Sequence, residues 1–313
     1  MTMTKNQTTR TQLALGPVQY YWSREQIFDF YDQVCDWPVN RVYLGETVCS
    51  RRRELTLQDW LEIAEKISCA GKQAVLSTQV LLESRVELRT LDRITAQADF
   101  LVEANDMGAV QQMQGRDFIA GPFLNIYNPP TLDVLSAQGA CGWVMPLEMD
   151  QSGLATMLAH CPDELQTEVF AFGRMPLAFS ARCFTARNRN LPKDNCQYVC
   201  LEHPDGLLLQ TQEEQSFLNI NGIQTQSARV YNLIQELPQL QDMGVHWLRL
   251  SPQSQHMDEI VRFFSQVLQG EQQPDQALAE MLPFLVAEPC NGYWHAQAGQ
   301  EMILAHTERA AFF

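Results

Sequence analysis

Three thiols stand in one polar, basic stretch of the chain: Cys183, Cys196 and Cys200, at C-x12-C-x3-C spacing. Arg182, Arg187, Arg189 and Lys193 lie among them, with Arg174 just upstream, in a protein whose formal net charge is -15. A deprotonated thiol is a soft metal ligand, and neighbouring cations favour the thiolate. Cys196 and Cys200 sit in a loop-like segment with Pro192 and Asn195, where burial as small hydrophobes is unnatural. A centre built on these three asks for a fourth ligand from elsewhere in the chain.

The elements that must position them follow a β/α alternation. Apolar, β-type runs occur near residues 13, 42, 75, 101, 118, 144, 169 and 247. Between them lie helical patterns over 26–34, 56–71, 85–97, 107–114, 130–138 and 153–160, with another over 257–268. Thr56 reads as an N-cap and Gly71 as a stop. Eight such units predict an α/β fold, a TIM-like (β/α)8 barrel, with an open doubly wound sheet as the alternative. Over roughly 174–244 the alternation breaks. This stretch reads as a cysteine-bearing insert after the seventh strand, with a β-like segment at 207–223 and turns at Asp205-Gly206 and Asn221-Gly222. The strand Glu168 to Phe172 ends before the insert begins. Residues 1–12 read as a disordered leader, 13–313 as one barrel-like domain, and 270–283 as loop or surface helix.

In either fold, sites form at the carboxyl ends of the strands. Cys49 lies four residues past Gly45, at the end of the second strand, and Cys183 follows the seventh. Both then share one mouth with Cys196 and Cys200. Four thiolates suit a [4Fe-4S] cluster and equally a structural zinc. The C-x2-C knuckles usual for zinc are absent, which favours iron and sulfur, although spacing alone leaves both open. His203 is an alternative ligand. Cys35, Cys69, Cys141 and Cys161 read as core thiols, and Cys290 as a spare thiol or turn residue.

Arg182 and Arg187 are candidates to grip an anionic substrate or to balance a cluster's charge. Arg189 reads as a surface ion-pair partner, and Arg51, Arg52 and Arg53 as a solvated lead-in to a helix. Glu46, Gln79, Glu103, Asn125, Tyr127 and Glu148 fall at or near strand ends, where polar groups can do binding or acid–base work. No catalytic residue can be named among them, and neither a G-x-S-x-G elbow nor an HExxH motif is present. With nine cysteines, an odd number, and no export signal read at the start, the thiols are expected reduced and the protein cytoplasmic. No stretch of ~20 apolar residues predicts a transmembrane segment. The pI of about 4.8 argues against nucleic acid as a partner.

EVFAFGRMPLAFSARCFTAR, residues 168–187, resembles the signature of the collagenase-like peptidase family through Glu168, Phe170, Gly173, Ser180 and Cys183. That family commonly has a further cysteine three residues after the glycine. Here the position is Pro176, which points to one branch. LGPVQYYW, YLGETVCSRRR, GKQAVLST, NGIQTQSARVYNL, WLRLSPQ and CNGYW extend the resemblance to the branch active in oxygen-independent ubiquinone biosynthesis. It runs from about Leu13 to Trp294. The resemblance implies a barrel-like fold and a [4Fe-4S] cluster on Cys49, Cys183, Cys196 and Cys200. It also implies a heterodimer with the homologous iron–sulfur protein UbiU and cooperation with the lipid carrier UbiT. The activity implied is hydroxylation of a ubiquinone precursor's aromatic ring without molecular oxygen, with prephenate as the hydroxyl source. A non-catalytic partner in such a complex, a peptidase and another hydroxylating member of the family are the alternatives.

Overall fold

A computed structural model describes residues 10–162 and 164–304. Seven parallel strands come first: β1 (Gln12–Leu15), β2 (Arg41–Leu44), β3 (Gln73–Ser77), β4 (Leu101–Ala104), β5 (Phe118–Ala120), β6 (Ala140–Val144) and β7 (Gln166–Phe179). Then β8 (Leu207–Gln210), β9 (Ser216–Asn221) and β10 (Gln224–Asn232) intervene before β11 (Trp247–Leu250) and the short β12 (Pro289–Cys290). Leu248 of β11 pairs with Leu13 on one side and with Val169 on the other. That double pairing closes an eight-stranded parallel barrel, as the eight apolar runs predict, and rules out the open sheet. The expected leader lies mostly outside the described residues, but Gln12 already pairs with Trp247 in β1.

Each barrel strand is buried on both faces, which is why the runs read as continuous apolar stretches. Outward side chains such as Leu44, Leu76 and Val102 pack under the helices. Inward ones, including Ala14, Tyr43, Val75, Ile119 and Val144, fill the barrel. The helices begin where the sequence supplies caps: Ser23, Thr56 and Ser84 each form a capping box, with Gln26, Asp59 and Glu87. Charged side chains also occupy the barrel interior. Glu168 accepts from Arg249 Nε at 2.5 Å and from the Tyr43 hydroxyl at 2.5 Å, and Arg249 reaches Glu103 at 2.7 Å. Among the described residues no helix is long and apolar enough to cross a membrane.

The largest departure from expectation is the length of β7. The strand does not stop at Phe172; it continues to Phe179. Gly173, at φ +124°, marks the point where it leaves the barrel wall, because a Cβ there would come within 2.6 Å of Ser251 Cβ. Beyond it β10 pairs antiparallel, with Val230 opposite Arg174 and Gln224 opposite Phe179. The expected turn at Asn221-Gly222 is present as a two-residue loop, Gly222-Ile223, joining β9 to β10. The strands β7, β10, β9 and β8 therefore form an arm that stands on the C-terminal mouth. In the tail, Pro274–Met281 is helical.

Candidate metal centre

Cys49, Cys183, Cys196 and Cys200 line one small cavity at the C-terminal mouth, with about 350 Å³ of space between the surrounding atoms, part of it open to solvent. Arg51, Arg52 and Lys193 are the charged residues lining it, and no carboxylate does. Each thiol arrives by a different device. Cys49 is held by a tight turn in which Glu46 Oε1 accepts from the Val48 and Cys49 amides at 2.8 and 2.9 Å. Cys183 caps the short helix Phe184–Asn188, its sulfur accepting from the Ala186 amide at 3.4 Å. Between Cys196 and Cys200, Gln197 and Tyr198 both adopt left-handed backbone, at φ 49° and 54°. Two successive non-glycine residues in that region are uncommon and cost local strain. This kink lets a C-x3-C spacing turn both thiols into one space.

Arg52 is the hub of the site. Its side chain is buried, donating from Nη1 to Gln19 O and from Nη2 to Asn221 Oδ1, each at 2.6 Å. It stands 3.6 Å from Glu46, and its charge lies near the Cys200 thiol. It thereby joins the loop after β1, the loop after β2, the β9–β10 hairpin and the thiol cavity. Around it runs a ladder of buried amides. Asn221 Nδ2 donates to Gln19 O at 2.7 Å, Gln224 Nε2 to Gln19 Oε1 at 2.9 Å, and Asn219 Nδ2 to Gln226 Oε1 at 2.8 Å. The segment NGIQTQ thus supplies the amides that fix the hairpin against the barrel. Gly222 N donates to Thr185 Oγ1 at 2.9 Å, which ties the hairpin tip to the helix capped by Cys183.

Burial pushes the Cys200 thiol up to about 11, against the pull of Arg52, with the three other thiols adding to the rise. Burial raises Cys49 likewise, again opposed by Arg52. Without a metal, burial therefore favours the neutral form of Cys49 and Cys200. Val48, Cys49 and Ile223 form a small apolar cluster with Leu81, Phe179 and Cys183 at its edge, which shields one side of the cavity from water.

The remaining candidates fall elsewhere. Arg182 and Arg187 are exposed and do not line the cavity; Arg51, Arg52 and Lys193 do. Arg174 turns into the arm and donates to Ser227 O at 3.0 Å. Arg189 pairs with Glu202 at the surface. The reading of Arg52 as a solvated residue is overturned, since it is 6% exposed. Its signal was faint: an arginine three residues after a candidate ligand. Cys69 is exposed at the end of its helix, so it is not a core thiol, whereas Cys290 is fully buried in β12. Glu103 serves the barrel's ionic interior. Asn125, Tyr127 and Glu148 line a second mouth cavity of about 780 Å³, bounded by Phe123 and Phe179. His203 does not line the thiol cavity.

A family model described as peptidase family U32 matches residues 26–303. The chain belongs to this family. Among solved structures it is similar to the U32 peptidase Mk0906, with TM-score 0.45 and 9% identity, covering 80% of this chain and 96% of that one. It is also similar to the spore cortex-lytic enzyme SleL of Bacillus megaterium QM B1551, with TM-score 0.42 and 10% identity over 84% and 75% of the two chains. A third match is the phospho-2-dehydro-3-deoxyheptonate aldolase of Thermotoga maritima, with TM-score 0.35 and 11% identity over 90% and 72%.

Among the described residues no group of three or more His, Cys, Asp or Glu side chains is arranged to hold a metal ion. One zinc with ligands at ~2.3 Å draws its sulfurs to within ~4 Å of one another. In a [4Fe-4S] cluster each thiolate binds a different iron, so the sulfurs stand around a larger body. Four thiols lining a shared cavity are donors that either centre accepts.

Proposed function

We propose that this U32-family chain carries a [4Fe-4S] cluster on Cys49, Cys183, Cys196 and Cys200. In this reading it serves as the iron–sulfur subunit UbiV in oxygen-independent hydroxylation of a ubiquinone precursor's aromatic ring. It works with UbiU as heterodimer partner, UbiT as lipid carrier and prephenate as the source of the hydroxyl oxygen. One observation carries the reading: four thiols from segments up to 151 residues apart meet in a single cavity. They are the four that the resemblance implies.

When bound, such a cluster supplies one-electron chemistry whose potential depends on its charge, burial and hydrogen bonds to sulfur. The chain's own residues set those conditions. The Ala186 amide donates to the Cys183 sulfur. Arg52, with Arg51 and Lys193, would offset thiolate charge. Val48, Ile223 and Phe179 keep water from one side.

Anaerobic purification with iron, sulfide and zinc analysis and a visible spectrum tests the centre. Iron and sulfide in equal amounts with broad charge-transfer absorption are expected, and each Cys→Ala substitution lowers both. Stoichiometric zinc without that absorption refutes it. Because a cluster on these thiols would also tie the insert to the loop after β2, a purely structural cluster is the second reading. Cys49→Ala and Cys183→Ala separate the two. If either variant stays folded, pairs with UbiU and supports full ring hydroxylation without oxygen, the centre takes no part in the reaction.

A further inference from the structure

The arginines that the thiol cavity leaves out belong to the surface segment that carries three of its thiols. From Ala181 to His203 the chain has four cations, Arg182, Arg187, Arg189 and Lys193, against two carboxylates, Asp194 and Glu202, in a protein of net charge -15. Arg189 pairs with Glu202, and Lys193 with Glu83. Arg182 and Arg187 are exposed and make no ion pair among the described residues. Apolar side chains are exposed in the same segment. The helix Phe184–Asn188 packs beside the turn Val199–Glu202, and Phe184 and Leu201 both face solvent.

Tyr198 joins this face to the thiols. It lines their cavity and is 44% exposed, so one ring reaches from the cavity to solvent. The ring sits on the left-handed kink between Cys196 and Cys200 and stands 6.1 Å from that of the buried Tyr21. A face of exposed apolar groups and uncommitted cations fits the acidic face of a partner. The extent of the patch decides which kind of partner. Charge is screened over about 8 Å at physiological ionic strength, so a small protein seated here senses the local cations. A nucleic acid or an anionic membrane would run on past the patch, over a surface whose net charge repels it.

We infer that this face is the docking site of a small, acidic one-electron carrier protein, an inference that rests on the cluster reading above. The reduced carrier gives up one electron and the bound cluster takes it; no bond forms or breaks, and no proton moves. Arg51, Arg52 and Lys193 around the thiols favour the added negative charge. Redox encounters of this kind use small interfaces, below about 1,200 Å² in total, so a single segment suffices.

The test mixes the anaerobically purified full-length protein, alone and paired with UbiU, with a pre-reduced acidic [2Fe-2S] ferredoxin or an acidic flavodoxin. Stopped flow follows the loss of the cluster's visible absorption. Second-order transfer is expected, slowing about tenfold or more between about 0.01 and 1 M salt, as the screening length shrinks from about 30 to 3 Å. Arg182→Glu combined with Arg187→Glu slows transfer about tenfold or more at low salt and flattens the salt dependence. Iron content, visible spectrum and reduction by the neutral radical of photoreduced 5-deazariboflavin stay unchanged in that variant. Arg89→Glu combined with Arg262→Glu makes the same change of net charge on other helices and leaves transfer as it was. No transfer from either carrier, unchanged transfer in the folded Arg182/Arg187 variant, or equal slowing by the Arg89/Arg262 variant overturns the assignment. Loss of pairing with UbiU in the Arg182/Arg187 variant gives the face to the subunit contact and overturns it too. The two readings fail separately: absence of iron removes the cluster and the docking site with it, whereas a cluster whose reduction ignores the arginines removes the docking site alone.

Discussion

Replacing Arg52 by Met probes how the mouth of the barrel is held together. Met keeps much of the side chain's volume and removes its charge and five donors. Gln19 O survives the loss, because Asn221 Nδ2 still donates to it at 2.7 Å. Asn221 Oδ1 does not, since its partner at 2.6 Å is gone. An orphaned buried acceptor costs about 1–3 kcal/mol. Glu46 loses the guanidinium 3.6 Å away and keeps two backbone amides. Breaking a buried pair costs about 3–5 kcal/mol, and the amides together with Glu46's partial exposure place this case at the low end. The two losses together are expected to come to about 4–6 kcal/mol at neutral pH. Burial already raises the Glu46 carboxyl, and without Arg52 it rises further. Protonation then removes the uncompensated charge, so the deficit shrinks as pH falls from 7 towards 5. Urea unfolding of metal-free, reduced protein at both pH values measures this, with Glu46→Gln and the double variant closing a cycle. A loss below about 1 kcal/mol, or effects of Arg52→Met and Glu46→Gln that simply add, would refute the view of Arg52 as the tie.

Gly173→Ala puts a Cβ 2.6 Å from Ser251 Cβ at φ +124°, and it is expected to cost at least about 1–3 kcal/mol in urea unfolding. Glu168→Gln leaves Arg41 and Arg249 without a shared carboxylate inside the barrel, and a loss of about 3–5 kcal/mol is expected from the shift in urea midpoint. Burial, then the charge of Arg41, holds the His246 imidazole below its usual range, and its Nδ1 accepts from Thr167 N at 3.1 Å. Its contribution is complete above about pH 6.5 and is lost as pH falls below that, because the unfolded chain takes up the proton first. His246→Asn should flatten the fall in melting temperature between pH 7 and 5; an unchanged fall rejects this role.

The barrel was legible because its strands are buried on both faces and so announce themselves as apolar runs between capped helices. Trp247–Leu250 could be assigned as the eighth strand for that reason, even after a long interruption. β7 was cut short at Phe172 because its continuation carries Arg174 and Pro176, and an arginine reads as surface. In the fold that guanidinium donates through Nη1 to carbonyls of β10, a partner some 50 residues away. Arg52 was hidden in the same way, its partners being Gln19 and Asn221. A charged residue's burial depends on distant acceptors, and local sequence carries no sign of them. The cysteines divided by the same logic. Spacing and loop chemistry singled out Cys196 and Cys200, whereas Cys69 and Cys290 differ only in what the fold lays over them.

The order of the thiols along the chain also bears on synthesis. Cys49 leaves the ribosome 151 residues ahead of Cys200, a delay of about 8–30 s at roughly 5–20 residues/s. The wall that Cys49 faces exists only after β7 and the arm have formed, and the barrel closes later still, with β11. During that interval the first thiol has no companions and is open to oxidants or to stray metal. Loading of the proposed cluster would therefore wait until Cys200 and the arm have emerged, and a truncated product ending before β7 would present Cys49 without the other three thiols.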